Sequence, residues 1–148
     1  MNEFEEYINQ DVFNPKYLFH GAAHEYKSLE CSQPTENDPN SNAIFLTSSL
    51  YTAAAYAFSR ALKEINEHYS FSMNNNGEFP VMTFEVEKLP DDLYGYIYIF
   101  DKADDMIKDN HSNTTQYRCF HSLDTDKVIK VYYRDFEEFF VRENNKKY

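Results

Sequence analysis

Between residues 50 and 68, apolar side chains recur at the spacing of an α-helix. Ala54, Phe58 and Leu62 follow one another at every fourth position, which predicts a helix with one buried face. At about 100° per residue, Tyr56 lies on the opposite, polar face of this helix. Thr47 and the two serines after it supply hydroxyl groups of the kind that cap helix N-termini.

Short apolar and aromatic runs on both sides of this helix predict strands. In chain order they cover residues 16–19, 43–46, 81–87, 94–100, 116–120 and 128–133. Polar composition predicts loops at 31–42 and 70–79, and short helical segments are predicted at 3–10, 101–109 and 135–142. About six strands with two or three helices predict an α+β fold with a largely antiparallel or split sheet.

Composition narrows the class of protein. A chain of 148 residues, 42% of them apolar, has enough material for one domain with a real core, and we expect a single domain over 1–148. The 13 phenylalanines and 13 tyrosines argue against disorder. No apolar run approaches the roughly 20 residues that span a bilayer, and the acidic N-terminus resembles neither a signal nor a transit peptide. A cytoplasmic location is therefore expected.

The charge adds information about partners. Acidic residues outnumber basic ones by 25 to 14, which gives a formal net charge of −11. This excess opposes direct binding to nucleic acid or to anionic membranes. Two interpretations stay open: an acidic enzyme kept monomeric by its charge, or a protein whose acidic surface meets a basic partner.

Several familiar sites are excluded or disfavoured. The three glycines, Gly21, Gly77 and Gly95, cannot build a glycine-rich dinucleotide loop or a P-loop. His20 and His24 have the spacing of a helical metal site, but they follow a strand and a glycine, and no third ligand is evident. No metal site is predicted.

The cysteines point to structure rather than to chemistry. Cys31 and Cys119 cannot form a disulfide framework or a zinc site by themselves. Cys119 and His121 have the types of a nucleophile and its base, but no orienting group or oxyanion glycine accompanies them. A buried structural cysteine is the favoured interpretation of Cys119.

Three segments occur in an order that resembles the ADP-ribosyltransferase superfamily, on the diphtheria-toxin and poly(ADP-ribose) polymerase side. The first is a short strand that ends in His20-Gly21. The second is the strand and helix over 43–57, and the third is the strand that begins at Gln116. In that family, a His-Gly pair, an aromatic-bearing strand leading into a helix with a tyrosine, and a late-strand glutamate build the NAD site. The resemblance spans about residues 17–133 and implies a compact fold of split antiparallel β-sheets with flanking helices.

The resemblance assigns binding roles toward NAD. His20 would donate a hydrogen bond to a ribose hydroxyl, and Gly21 would offer its backbone N–H and C=O to the nicotinamide carboxamide. Phe45 would support the nicotinamide ring, and Tyr56 would stack on its other face, since aromatic faces attract a cationic ring. Two smaller residues would shape the pocket beside them, Thr47 and Ala53.

Structural explanations stand beside these roles. His20 could be a strand-end histidine satisfied by the fold, and Phe45 could be an ordinary core residue. Tyr56 on a polar helix face needs a cover, which either a ligand or another sheet could supply.

The third segment departs from the family pattern. The family has glutamate where this chain has Gln116, which accepts a hydrogen bond but brings no negative charge. A unit charge at about 4 Å and an effective dielectric near 20 is worth about 4 kcal/mol, or up to roughly a thousandfold in rate. Three alternatives stay open: transfer is slow, the protein only binds, or a neighbouring carboxylate compensates. The candidate carboxylates are Glu78, Glu85, Asp124 and Asp126.

The expected activity is NAD-dependent mono-ADP-ribosyl transfer to a protein acceptor, with Gln116 and His20 as catalytic residues. Polymer formation places greater demands on the missing glutamate and is disfavoured. The alternative is a catalytically degenerate transferase fold that acts as an acidic module and binds a basic protein partner. A transferase acting on RNA ends is disfavoured by the acidic balance.

Overall fold

The structure is a computed structural model. It describes residues 4–31, 33–34, 42–65, 71–76, 79–84, 92–108, 115–125, 127–137 and 141–144. The helices within these ranges are α1 (Glu5–Ile8), α2 (Leu50–Ile65) and α3 (Tyr133–Phe136). The strands are β1 (Tyr17–Ala22), β2 (Ser28–Leu29), β3 (Gln33–Pro34), β4 (Asn42–Thr47), β5 (Phe71–Asn76), β6 (Phe79–Phe84), β7 (Tyr94–Asp101), β8 (Met106–Lys108), β9 (Gln116–Cys119), β10 (Leu123–Asp124), β11 (Val128–Tyr132) and β12 (Val141–Asn144).

The largest sheet has the strand order β11-β7-β1-β4-β9-β8, with β3 paired to β4 beside this path. The pairings of β4 with β1, β3 and β9, and of β8 with β9, are antiparallel. A second sheet pairs β2 with β10, and a third has the order β12-β6-β5 with β12 parallel to β6. The predicted α+β class with an antiparallel sheet is confirmed. None of the described helices has both the length and the apolar character needed to cross a membrane.

The chain divides into two compact units, each built from three separate stretches. The first unit comprises Met1–His20, Tyr26–Leu50 and Tyr98–Val128. The second unit comprises Gly21–Glu25, Tyr51–Ile97 and Ile129–Tyr148.

The first unit is organised around β4. Its alternating apolar side chains are buried, and so are their neighbours on β1 and β9. The short helix α1 is held to this core by Tyr7, whose ring lies 5.0 Å from the ring of Tyr17 and 5.9 Å from that of Phe19. Both contacts have the edge-on geometry that aromatic pairs prefer. α1 falls within the predicted segment 3–10.

The second unit contains most of α2, and its buried face is the predicted one. Ala54, Phe58 and Leu62 are buried, whereas Tyr56 is 42% exposed. The ring of Phe58 meets two rings edge-on: Tyr133 at 5.5 Å and Phe136 at 6.0 Å between centroids. Helical periodicity therefore predicted these buried residues correctly, but α2 also buries Thr52, which was expected on the polar face, and three further alanines, Ala53, Ala55 and Ala57.

Two predicted segments have a different structure. Residues 70–79 were expected to form a loop, yet β5 pairs with β6 along its whole length, from Phe71 opposite Phe84 to Asn76 opposite Phe79. Residues 101–109 were expected to be helical, yet they contain the end of β7 and the strand β8. In both cases, backbone pairing with a neighbouring strand overrides local propensity.

Smaller differences concern the ends of elements. The predicted loop at 31–42 contains the short strand β3, and the short strand β10 lies between the predicted strands at 116–120 and 128–133. The predicted C-terminal helical turn at 135–142 is replaced by α3 and, further on, β12. Residues 66–68 of the predicted long helix and 85–87 of the predicted strand lie outside the described residues, as do Phe139 and Phe140.

Helix α2 approaches Gly21 and Gly95 more closely than any side chain would allow. A Cβ atom on Gly21 would lie 2.1 Å from the carbonyl oxygen of Ala53 and 2.8 Å from the backbone nitrogen of Ala57. A Cβ on Gly95 would lie 2.8 Å from the Cβ of Ala57. The absence of a side chain is therefore a packing requirement at both glycines.

We expect Gly21→Ala to lower the free energy of unfolding by about 2–3 kcal/mol, because helix backbone must move to admit the methyl group. Denaturant unfolding measures this change. Lys63→Ala, on the exposed side of the same helix, is the control and should change stability by less than about 0.5 kcal/mol. Equal stability of Gly21→Ala and the native protein would contradict the close packing.

Candidate functional site

The strands of the three sequence segments that resemble the transferase family, β1, β4 and β9, are neighbours in the largest sheet. His20 is on β1, Phe45 and Thr47 are on β4, and Gln116 is the first residue of β9. In the antiparallel register, Thr47 lies directly opposite Phe19 on one side and Gln116 on the other. The fold therefore brings together strands that are far apart along the chain.

The register also decides which side chains share a face of the sheet. Directly opposed residues of antiparallel strands point to the same side, so Phe19, Thr47 and Gln116 share one face. Phe45, two residues before Thr47, shares this face and lies opposite Arg118. Phe45, Gln116 and Arg118 are half-buried and keep accessible surface, whereas Phe19 and Thr47 on the same face are buried. We call Phe45, Thr47, Gln116 and Arg118 the β4–β9 face.

A hydroxyl network fixes the end of β4 against the start of β9. The Oγ1 atoms of Thr47 and Thr115 are 2.8 Å apart, and the N–H of Ser49 donates to Thr47 Oγ1 at 3.1 Å. The N–H of Ser48 donates to the carbonyl oxygen of Thr115 at 3.0 Å. The side chain of Thr47 therefore has a structural role: it joins the end of β4 to the residue before Gln116 and to the segment before α2.

Gln10 was not predicted to be important, yet its side chain makes four hydrogen bonds to the backbone. Its Nε2 donates to the carbonyl oxygens of Tyr17 and Ser48, both at 2.9 Å. Its Oε1 accepts from the N–H groups of Lys16 and Tyr17, both at 3.0 Å. One amide side chain thus binds the start of β1 and the residue after β4. No sequence signal marks it, because the bond to Ser48 depends on a residue far along the chain.

His20 is held by the neighbouring strand. Its Nδ1 lies 2.8 Å from the carbonyl oxygen of Phe45. Because a carbonyl only accepts, Nδ1 carries the proton, and Nε2 of the neutral ring is an acceptor. A ribose hydroxyl would then donate to Nε2, which reverses the sense of the predicted hydrogen bond.

The side chains of His20 and Gln116 point to opposite faces of the sheet. It follows Phe19, and successive side chains of a strand point to opposite faces, so His20 leaves β1 on the side opposite the β4–β9 face. Its ring lies 6.4 Å from that of the buried Tyr98. The register therefore groups Gln116 with Thr47 and Phe45 and does not add His20 to them.

The other predicted site residues, Gly21, Ala53 and Tyr56, belong to the second unit. The carbonyl oxygen of Gly21 accepts a hydrogen bond from Arg60 Nη1 at 2.9 Å. The predicted acceptor for the carboxamide thus already has a partner within the protein. Ala53 is fully buried, and its own carbonyl oxygen is the atom closest to the missing side chain of Gly21.

Of the carboxylates considered as substitutes for the missing glutamate, Asp124 is the one within the described residues. It is exposed on β10, opposite Ser28, in the small second sheet rather than on the β4–β9 face. Glu78, Glu85 and Asp126 lie outside the described residues.

Within the described ranges, His24 and His121 have polar partners, and Cys119 is enclosed in the core. His24 lies in the second unit with its Nε2 2.5 Å from a carboxylate oxygen of Glu64. Cys119 is fully buried, as predicted, and burial raises the pKa of its thiol. His121, the supposed base, has Nδ1 on the carbonyl oxygen of Ser122 at 2.9 Å and Nε2 on Asp105 at 2.5 Å. A raised pKa keeps the Cys119 thiol protonated, and both ring nitrogens of His121 already have partners. Neither feature favours nucleophilic catalysis.

Gln10→Ala should lower the free energy of unfolding by about 2 kcal/mol, because it leaves backbone groups of β1 and Ser48 without their side-chain partner. Gln10→Glu should also destabilise, since a carboxylate cannot donate to two carbonyl groups. Thermal or denaturant unfolding measures both. Asn9→Ala, an exposed amide one position earlier, is the control, and a loss as large in Asn9→Ala would refute the assignment.

Comparison with known proteins assigns no family to the chain. No protein-family model, no curated protein and no solved structure matches the chain.

Proposed function

We propose that this protein binds NAD on the β4–β9 face and transfers a single ADP-ribosyl group to a protein acceptor. The observation that carries the proposal is the register of β4 with β9, which sets Gln116 opposite Thr47 with Phe45 on the same face. Two of the three segments that resemble the transferase family are thereby side by side. The third, with His20, lies on the strand next to them.

The β4–β9 face has side chains suited to the parts of NAD. The half-buried ring of Phe45 offers an apolar surface to nicotinamide. The amide oxygen of Gln116 accepts a hydrogen bond from a ribose hydroxyl and so fixes the sugar near the bond that breaks. Orientation of this kind supports a largely dissociative cleavage, in which nicotinamide leaves with the bonding electrons and the acceptor attacks the ribose carbon.

Arg118, which was not among the predicted site residues, adds a positive charge to the β4–β9 face. It lies opposite Phe45 and two residues after Gln116, on the same face of β9. A guanidinium group binds phosphate oxygens with well-oriented hydrogen bonds. In a chain of net charge −11, a cation at this position favours the pyrophosphate of NAD locally.

The roles assigned to the second unit remain predictions from the resemblance. Tyr56 is exposed on α2, and its stacking role stays a prediction of the resemblance. Gly21 has a packing reason of its own, and Ala53 is buried, so both are assigned to the fold first.

The missing carboxylate predicts slow turnover and a specific rescue. Gln116→Glu should raise the rate of nicotinamide release from NAD by about 10²–10³-fold, because it places a negative charge beside the developing cation. Gln116→Ala should lower the native rate about tenfold by removing the hydrogen bond to the sugar. Chromatographic measurement of nicotinamide, with and without a protein acceptor extract, checks both changes.

Asn9→Asp is the matched control, because it adds the same charge at an exposed position away from β9. It should leave the rate at the native value. No nicotinamide release by either the native protein or Gln116→Glu, with the fold verified, would refute transfer.

A second candidate function is favoured by Gln116 together with the net charge of −11. A transferase fold without its carboxylate could serve as an acidic module that binds a basic protein. Such binding should weaken as salt increases and should survive His20→Ala and Tyr56→Ala. Loss of partner binding in these two variants, with the fold intact, would refute this function.

A further inference from the structure

At the open end of the β8–β9 pair, three different metal-ligating side chains converge. Asp105 directly precedes β8, Cys119 is the last residue of β9, and His121 follows two residues later. One ligand atom from each lies within 4.8 Å of the others. All three belong to the first unit, and none belongs to the β4–β9 face.

The strand register explains why these residues meet. Met106 lies opposite Cys119, so Asp105 reaches the end of β9 from the neighbouring strand. Asp105 and His121 are exposed, whereas Cys119 is fully buried beneath them. The arrangement therefore has one internal sulfur ligand and two ligands at the surface.

The distances are compatible with a tetrahedral ion after a small adjustment. Metal–ligand bonds of about 2.0–2.3 Å place neighbouring ligand atoms about 3.3–3.8 Å apart. His121 Nε2 and Asp105 Oδ2 are now 2.5 Å apart and would have to separate by about 1 Å. Their side chains are 53% and 56% exposed, so rotation meets little packing resistance.

His121 already has the hydrogen bond that a metal-binding histidine makes. Its Nδ1 donates to the carbonyl oxygen of Ser122 at 2.9 Å, which leaves Nε2 as the coordinating nitrogen. Metal-ligating histidines use such a bond to fix the tautomer and the ring orientation. Nε2 itself lies 2.5 Å from Asp105 Oδ2.

We propose that Asp105, Cys119 and His121 bind Zn²⁺, with water in the fourth position. A thiolate, an imidazole and a carboxylate form a donor set that suits zinc better than magnesium or calcium, which prefer oxygen. Cys119 Sγ now lies 3.5 Å from the carbonyl oxygen of His121, and coordination would release to solvent both the thiol proton and the proton shared by His121 Nε2 and Asp105 Oδ2. The ion would fasten the end of β8 to the end of β9.

Cobalt and zinc titrations of the reduced, chelator-stripped protein test this site. Co²⁺ should produce a thiolate-to-metal charge-transfer band and the visible bands of a tetrahedral ion, and Zn²⁺ should displace them. Zn²⁺ should also raise the melting temperature, because it binds the folded state. Asp105→Asn, His121→Gln and Cys119→Ser should each weaken binding by at least about tenfold.

The chain has a matched control for the surface pair. His24 and Glu64 form an exposed pair with the same 2.5 Å separation and 56% and 52% exposure, but they are not in the cluster with a thiol. His24→Gln should bind zinc like the native protein, and so should Cys31→Ser.

Absence of the charge-transfer band in the native protein would overturn the site. Equal affinity in Asp105→Asn and His121→Gln would overturn it as well, and these exposed substitutions keep the test decisive if Cys119→Ser fails to fold. Loss of binding in His24→Gln or Cys31→Ser would assign the metal to other ligands and refute the proposal.

Discussion

The antiparallel pairing of β4 is the constraint on which the first unit depends. This strand pairs with β1, β3 and β9, and Thr47 at its end lies opposite both Phe19 and Gln116. A shift of the register by a single residue would turn Phe45 and Gln116 to opposite faces of the sheet, because side chains alternate along a strand. The chemistry proposed for Gln116 therefore follows from backbone pairing as much as from residue type.

Polar side chains at the end of β4 hold this register. Gln10 links β1 to Ser48, and Thr47 links β4 to Thr115. These groups are wholly or partly buried, where leaving them without a partner costs more than the bond itself contributes in water.

Sequence patterns over a few residues predicted those helices and strands whose formation depends on interactions within the same segment. The spacing of Ala54, Phe58 and Leu62 predicted one buried stripe of α2, because helical periodicity is contained in a few turns. β5 was missed since its asparagines have low strand propensity, yet pairing with β6 satisfies its backbone.

Gln10 and Asp105 could not be predicted, because their partners are remote in sequence. The neighbourhood of Gln116 and Thr47 was predicted only through the family resemblance, and the opposite direction of His20 needed the register.

Thermal unfolding in the presence of NAD, ADP-ribose and nicotinamide tests the central claim, that the β4–β9 face binds NAD. NAD should raise the melting temperature in a concentration-dependent manner, by more than ADP-ribose does. Gln116→Ala should reduce this shift by at least half, whereas Asn9→Ala should preserve it. No shift at any concentration of NAD, or an equal shift in Gln116→Ala, would contradict the account.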